Sequence, residues 1–181
     1  MSTVQNEVAR GTKVLLRLKK VEDAPRDHRW RQDPELASLD AAEVLRQSLA
    51  GFTRDLEQEL RFLTPWVRRF AIETLDGVHI GNCMLYDIDT VNGQAELGIL
   101  VGDRDYWNQG YGTEAVGLLV AECFSQRTMR RVYLHTLSWN ARARRAFARC
   151  GFREVGSDPR GKHDFILMEM TRAEWERHQG A

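Results

Sequence analysis

The sequence predicts a mixed α/β fold built on a mostly antiparallel central sheet flanked by helices, and three observations carry that expectation. Strand-like runs meet at two short turn signals, Asp76-Gly77 and Asn92-Gly93, which join antiparallel neighbours. After them the pattern alternates strand, helix, strand, helix and two closing strands. The first of those helices, Tyr111 to Gln126, is apolar nearly all round, as a helix buried against a sheet must be. Regular doubly wound alternation is absent.

In order, Thr12 to Lys20 reads as a first strand, and Val21 to Gln32 and Asp40 to Ala50 read as short helices. Thr53 to Leu63 reads as another helix, with Thr53 as its N-cap. Val67 to Leu75, Val78 to Ile88 and Gln94 to Val101 form the meander. Arg130 to Trp139 is the next strand and Asn140 to Cys150 the next helix, closed by Gly151 at C′. Phe152 to Ser157 and Asp164 to Thr171 complete the sheet.

With 181 residues and no Pro/Gly/Ser linker or repeat, the expected organisation is one domain over 1–181, its core at about 13–175. Basic and acidic residues balance at 26 each, so no global field draws the chain to nucleic acid or to a membrane. The opening MSTVQNEVARGTK is polar and has no apolar h-region, and no apolar run approaches the ~20 residues of a membrane span. Cys83, Cys123 and Cys150 are odd in number and never form a CxxC pair, which argues against a disulfide framework or a metal site. A cytoplasmic location follows as the expectation. Charge is uneven locally, at −5 over Glu22 to Leu60 and +8 over Arg127 to Lys162. Solvated helix faces account for such runs, as would one end prepared for phosphate and the other for a cation.

The stretch YWNQGYGTEAVG raises the functional question. A Walker A loop requires Lys and then Ser or Thr after its last glycine, whereas Gly112 is followed by Thr113, Glu114 and Ala115. Gly110, Gly112 and Ala115 match the letters of a dinucleotide fingerprint. That motif also needs an acid about 20 residues on, and none occurs between Glu122 and Glu154. A third arrangement suits the residues better. Consecutive amides of Asn108, Gln109, Gly110, Tyr111, Gly112 and Thr113 lead into a helix whose N-terminus carries partial positive charge, and the glycines permit close approach of a pyrophosphate.

Trp107 to Gly112 resembles the phosphate loop (Q/R)-x-x-G-x-(G/A) of the GNAT superfamily of acyl-CoA-dependent N-acetyltransferases, with Trp107 departing at the first position. Asn140, Ala143, Gly151 and Phe152 are similar to the family's N-x-x-A…GF element. Together with AELG before the loop and the late Glu174-Trp175, they look like the branch that acetylates ribosomal-protein N-termini. The resemblance implies acetyl-CoA as cosubstrate, a primary amine as acceptor and no metal. It also implies strands splayed at the cofactor site, with pantetheine alongside Leu100, Val101 and Gly102. Asn140 is implied as a cofactor contact, a role that competes with that of helix N-cap.

Glu96 stands where the resemblance places the catalytic carboxylate, on a strand face shared with Gly98 and Leu100. Many relatives carry Tyr where this chain has Phe147, leaving Cys150, Ser138, Tyr111 or water to return a proton to the thiolate. That loss makes a non-catalytic acyl-CoA-binding module the alternative. His135 reads as a satisfied sheet histidine, and Arg142, Arg145 and Arg149 as the polar face of an amphipathic helix. An exposed strand edge would suit a homodimer.

Overall fold

A computed structural model describes residues 6–180; residues 1–5, which open the polar N-terminal stretch, and residue 181 lie outside them. The strands are β1 (Glu7–Arg10), β2 (Val14–Leu18), β3 (Arg68–Thr74), β4 (His79–Asp89), β5 (Gln94–Val101), β6 (Arg131–Leu137), β7 (Arg153–Arg160) and β8 (His163–Thr171). They form one sheet in the order β1-β2-β3-β4-β5-β6-β8-β7. Every neighbouring pair is antiparallel except β5 and β6. The helices are α1 (Ala24–Arg31), α2 (Pro34–Leu39), α3 (Leu49–Arg61), α4 (Tyr111–Ser125), α5 (Ala141–Arg149) and α6 (Arg172–Gln179).

The parallel pairing of β5 with β6 is what positions the site. Its register is Gln94↔Arg131, Ala95↔Val132 and Glu96↔Tyr133, after which the ladder stops. Both strands continue, β5 to Val101 and β6 to Leu137, so the sheet splays open beyond Glu96. Backbone groups in that gap are left for something other than a neighbouring strand. The expected splay is present, and it begins at Glu96.

The core is continuous across this opening. Ala115, Val116, Leu119, Val120, Cys123 and Phe124 of α4 pack with Leu16, Phe70, Ile72, Leu97, Val132 and Leu134 of the sheet. Arg172 closes the far end of α4 by donating to the carbonyls of Phe124 at 2.8 Å and Gln126 at 2.7 Å. A cation on the last carbonyls of a helix satisfies orphan acceptors and complements the dipole.

The sequence expectations fail mainly before β3. The chain from Asp40 to Gln47 is not helical. Asp33 caps α2 by accepting from the Glu35 and Leu36 amides, with Pro34 at the first helical position; α2 ends at Asp40, and Ala41 takes a left-handed φ of +51°. The following helix starts at Leu49, with Ser48 accepting from the Gly51 amide, so Thr53 lies inside α3 and is not its cap. Three elements were not anticipated, the short strand β1, the helix α2 and the C-terminal α6, whose Thr171 and Glu174 form a reciprocal capping box.

Candidate active site

The splay opens into a cavity of about 470 Å³ that reaches from Glu96 to the start of α4. Of the residues expected at the site, Glu96, Leu100, Val101, Asn108, Gly110, Gly112, Thr113 and Asn140 line it. Gly102, Gln109 and Tyr111 do not. A Cβ on Gly102 would come within 2.2 Å of the Trp30 indole, so glycine there is required by packing. Gln109 turns back to donate to the Asp105 carbonyl at 2.5 Å, and Tyr111 packs edge-on against Tyr106.

At one end of the cavity lies the glycine loop. Asn108 and Gly110 adopt left-handed backbone at φ +58° and +87°, which turns successive amides toward a common concavity. Among the described residues, none of the six amides from Asn108 to Thr113 donates to a protein acceptor. A Cβ on Gly112 would sit 3.3 Å from Val101 Cγ2, so a larger side chain would press on the cavity wall. The loop is braced from β2. Glu114 accepts from the Thr12, Lys13 and Val14 amides at 3.0, 2.8 and 2.8 Å, and the Lys13 ammonium donates to the Gln109 carbonyl at 2.7 Å. Burial acts to raise the Glu114 pKa, but these hydrogen bonds and that of the Thr12 hydroxyl outweigh it and hold the carboxyl below its ordinary range.

Trp107, the departure from the loop pattern, has a role of its own. Its indole N–H donates to the Val101 carbonyl at 2.7 Å, tying the loop to the end of β5. The Arg142 guanidinium lies 3.9 Å from the centre of its ring, a close cation–π contact. Arg142 and Arg149 therefore line the cavity, while Arg145 stays on the solvent face. Asn140 accepts from the Ala143 amide at 3.1 Å as the N-cap of α5 and also faces the cavity, so both expected positions coincide.

Glu96 occupies the other end, only 6 % exposed. His135 Nδ1 lies 2.7 Å from Glu96 Oε1, and its Nε2 lies 3.1 Å from Asp158 Oδ2 and 2.9 Å from the Arg160 guanidinium. His135 is thus a satisfied sheet histidine, as expected, and the identity of its partners is what the sequence did not signal. Tyr86, opposite Glu96 in the β4–β5 register, also lines the cavity. Burial, and then the adjacent Glu96, push its phenol far above the ordinary range and keep it protonated. Cys150, Ser138 and Tyr111 do not reach the cavity, and Phe147 does. Burial raises the Cys150 thiol to about 11, and its Sγ contacts the Thr113 carbonyl. No cluster of three or more His, Cys, Asp or Glu suited to a metal occurs among the described residues.

A mixed sheet splayed beside a buried carboxylate, with a cradle of free amides at a helix N-terminus across the gap, is the architecture of an acyl-CoA-dependent transferase. A family model described as the acetyltransferase (GNAT) domain matches residues 13–153, and the chain belongs to that family. It is an acetyl-CoA-dependent N-acetyltransferase. The chain is 28% identical over 127 residues to the putative ribosomal N-acetyltransferase YdaF of Bacillus subtilis, covering 63% of this chain and 69% of the relative. It is 30% identical over 129 residues to the uncharacterized N-acetyltransferase p20 of Bacillus licheniformis, covering 66% and 67%. Its fold is shared with spermidine N-acetyltransferase from Vibrio cholerae in complex with CoA and spermine, at TM-score 0.81, 19% identity and coverage of 92% and 99%.

Proposed function

We propose that this enzyme acetylates the α-amine of a polypeptide N-terminus, with Glu96 as the base and the amides of Asn108 to Thr113 as the pyrophosphate cradle. The observation that carries the reading is the cavity itself, which joins a nearly buried carboxylate to an anion cradle. Acetyl-CoA supplies the activated thioester carbonyl. Leu100 and Val101, on the part of β5 beyond its last pair with β6, line the cavity where the pantetheine arm would run, and Asn140 flanks it from α5. Arg142 and Arg149 provide positive charge toward the phosphates at the same end. The amides and the α4 dipole hold anionic oxygens without a cationic side chain in the loop.

The acceptor must lose a proton before it attacks, and Glu96 is placed to accept it. An α-amine with pKa near ~8 makes less demand on such a base than an alkyl ammonium near ~10.4. The balance of charge points the same way. With Arg142 and Arg149 given to the phosphates, the other charged side chains of the lining are the acids Asp40 and Glu96 and the base Arg160. A wall of that composition suits an acceptor with a single ammonium better than a polycation. The relative named as a ribosomal N-acetyltransferase supports a protein acceptor.

Three free thiols accord with a reducing cytoplasm, and one domain spanning the chain accords with the continuous core. The exposed outer strand β7 offers an edge suited to a second copy. The test is free-CoA release with a panel of short peptides of differing first residue, polyamines and aminoglycosides. Turnover confined to peptides is expected. Efficient turnover of a polyamine or aminoglycoside with none for peptides would overturn the acceptor class, and no turnover with any of the panel would place the acceptor outside all three classes.

A further inference from the structure

His135 stands where the sheet comes apart. The last β5–β6 pair is Glu96↔Tyr133, and His135 lies two residues farther along β6 on the same face. Across the opening its Nδ1 meets Glu96 Oε1 at 2.7 Å, so a side-chain hydrogen bond continues the connection where the backbone ladder ends. The ring is held edge-on by Tyr133 and Phe165, with centroids at 6.0 and 6.5 Å and interplanar angles of 89° and 88°.

The opposite nitrogen decides which way that bond runs. A neutral imidazole has one donor and one acceptor, and the choice is set by what the other nitrogen meets. Nε2 faces a donor, Arg160, at 2.9 Å and an acceptor, Asp158, at 3.1 Å. Asp158 is itself engaged by Arg160, through Nε and a second guanidinium nitrogen, both at 2.7 Å. Both contacts fall on Oδ2, the oxygen nearest the ring, and of the two partners only Arg160 meets Nε2 in hydrogen-bond geometry. Nε2 accepts, and Nδ1 carries the hydrogen that Glu96 receives.

We infer that His135 is a positioning residue, locked by the Arg160–Asp158 pair in its Nδ1–H form so that it orients the Glu96 carboxylate for the acceptor amine. This rests on the reading of Glu96 as base. The carboxylate sits at the end of three rotatable bonds beside an open cavity, and one fixed oxygen leaves the other in a defined direction. Misplacing a base by about 1 Å costs up to roughly a hundredfold. The ion pair belongs to β7, on the far side of β8 in the sheet; its hydrogen bonds reach the base through the imidazole, while the Arg160 charge also acts on Glu96 through space.

The first measurement needs no substitution. Long-range ¹⁵N–¹H correlation spectra of the histidine rings at neutral pH are expected to show His135 in the Nδ1–H tautomer, and an Nε2–H ring would overturn the inference. Kinetics on an accepted amine supply the second test. His135→Leu should lower kcat about tenfold or more with the KM for acetyl-CoA unchanged. His135→Asn, whose amide can donate from the Nδ1 position, should recover most of the loss. In a Glu96→Gln background His135→Leu should cost less than about twofold, because there is no base left to orient. Equal losses in both backgrounds, or no rescue by asparagine, would make His135 structural. Full activity of His135→Leu beside an inactive Glu96→Gln would remove only the positioning role, whereas full activity of Glu96→Gln would remove the base assignment itself. Should His135→Leu fail to fold, Arg160→Met decides, since that side chain is half exposed. It should lower kcat and deplete the Nδ1–H tautomer, and an unchanged tautomer and rate would overturn the inference.

Discussion

Among the described residues two carboxylate–histidine clusters stand out, and only one of them meets the cavity. In the first, Arg17 of β2 donates to Glu73 at 2.5 Å and to both oxygens of Asp23 at 2.9 and 2.7 Å. Lys19 bonds Asp27 and, at 2.6 Å, Asn82, while His79 Nδ1 lies 3.5 Å from Asp23 without a hydrogen-bond partner. In the second, Glu96, His135, Asp158 and Arg160 run in a line from the cavity toward solvent. Residue types are similar, and Glu96 and His135 are nearly as buried as the first cluster, whereas Asp158 and Arg160 are 35% and 54% exposed. The difference is access, for none of the first cluster's side chains lines the cavity and four of the second cluster's neighbours and members, Tyr86, Glu96, His135 and Arg160, do. Perturbed, buried charge marks a functional site only when a substrate can reach it. The first cluster ties α1 and the preceding turn to β2, β3 and β4, and thereby holds Trp30 against Gly102 at the end of β5.

The comparison is broken most severely at Arg17. Arg17→Met strands two buried carboxylates, and removing one partner of such a pair typically costs about 3–5 kcal/mol. Urea denaturation should register that loss, while turnover per folded molecule stays near wild type. A stable but inactive protein would merge the two clusters into one functional unit. Acid offers a gentler probe. Burial acts to raise the Asp23 pKa, but hydrogen bonding from Arg17 and the charge of Lys19 prevail and lower it from 3.8 to about 2. A depressed pKa contributes stability above the ordinary carboxylate value, and that stability is lost as pH falls toward 2. The difference in unfolding free energy between wild type and Asp23→Asn should therefore shrink by about 2 kcal/mol over that interval. A pH-independent difference would mean that Asp23 gains nothing from its partners.

On the cavity side, Gly112→Val should weaken acetyl-CoA by more than about tenfold, ~1.4 kcal/mol, with the circular dichroism spectrum unchanged. Calorimetric affinity within about threefold of wild type would remove the loop from the cofactor site. The smallest effect is expected at Asn140, whose replacement by alanine removes a cap worth about 1 kcal/mol. Thermal unfolding should show that loss together with weaker acetyl-CoA binding, and unchanged affinity would leave the cap as its sole role.

Much of this arrangement is local and therefore legible in the chain. Asp76-Gly77 and Asn92-Gly93 do set the hairpins, β5 spans Gln94–Val101 as read, and the glycine loop leads into α4. The helix expected from Asp40 to Ala50 fails because the caps lie elsewhere, at Asp33-Pro34 and at Ser48. Thr171-Arg172-Ala173-Glu174 likewise held a readable capping-box signature for α6. Other features had no local signal. β1 is only four residues long and is recognisable only beside β2. The link from Glu96 to His135 spans 39 positions and depends on where the β5–β6 ladder stops. Arg142 on Trp107 depends on how α5 meets the loop, which periodicity along α5 alone does not report.

The central claim is that the Glu96 cluster performs chemistry while the Arg17 cluster performs architecture, and Glu96→Gln tests it most directly. Glutamine keeps the size of the side chain but cannot accept the acceptor's proton. On one confirmed amine, the pH–rate profile of the variant should lie about 10²–10⁴-fold below wild type near neutral pH, with acetyl-CoA affinity little changed. The deficit should narrow as pH rises, because a growing fraction of the amine is already neutral. A loss of the same size at every pH would contradict proton abstraction by Glu96, and an unchanged rate would exclude it from the reaction.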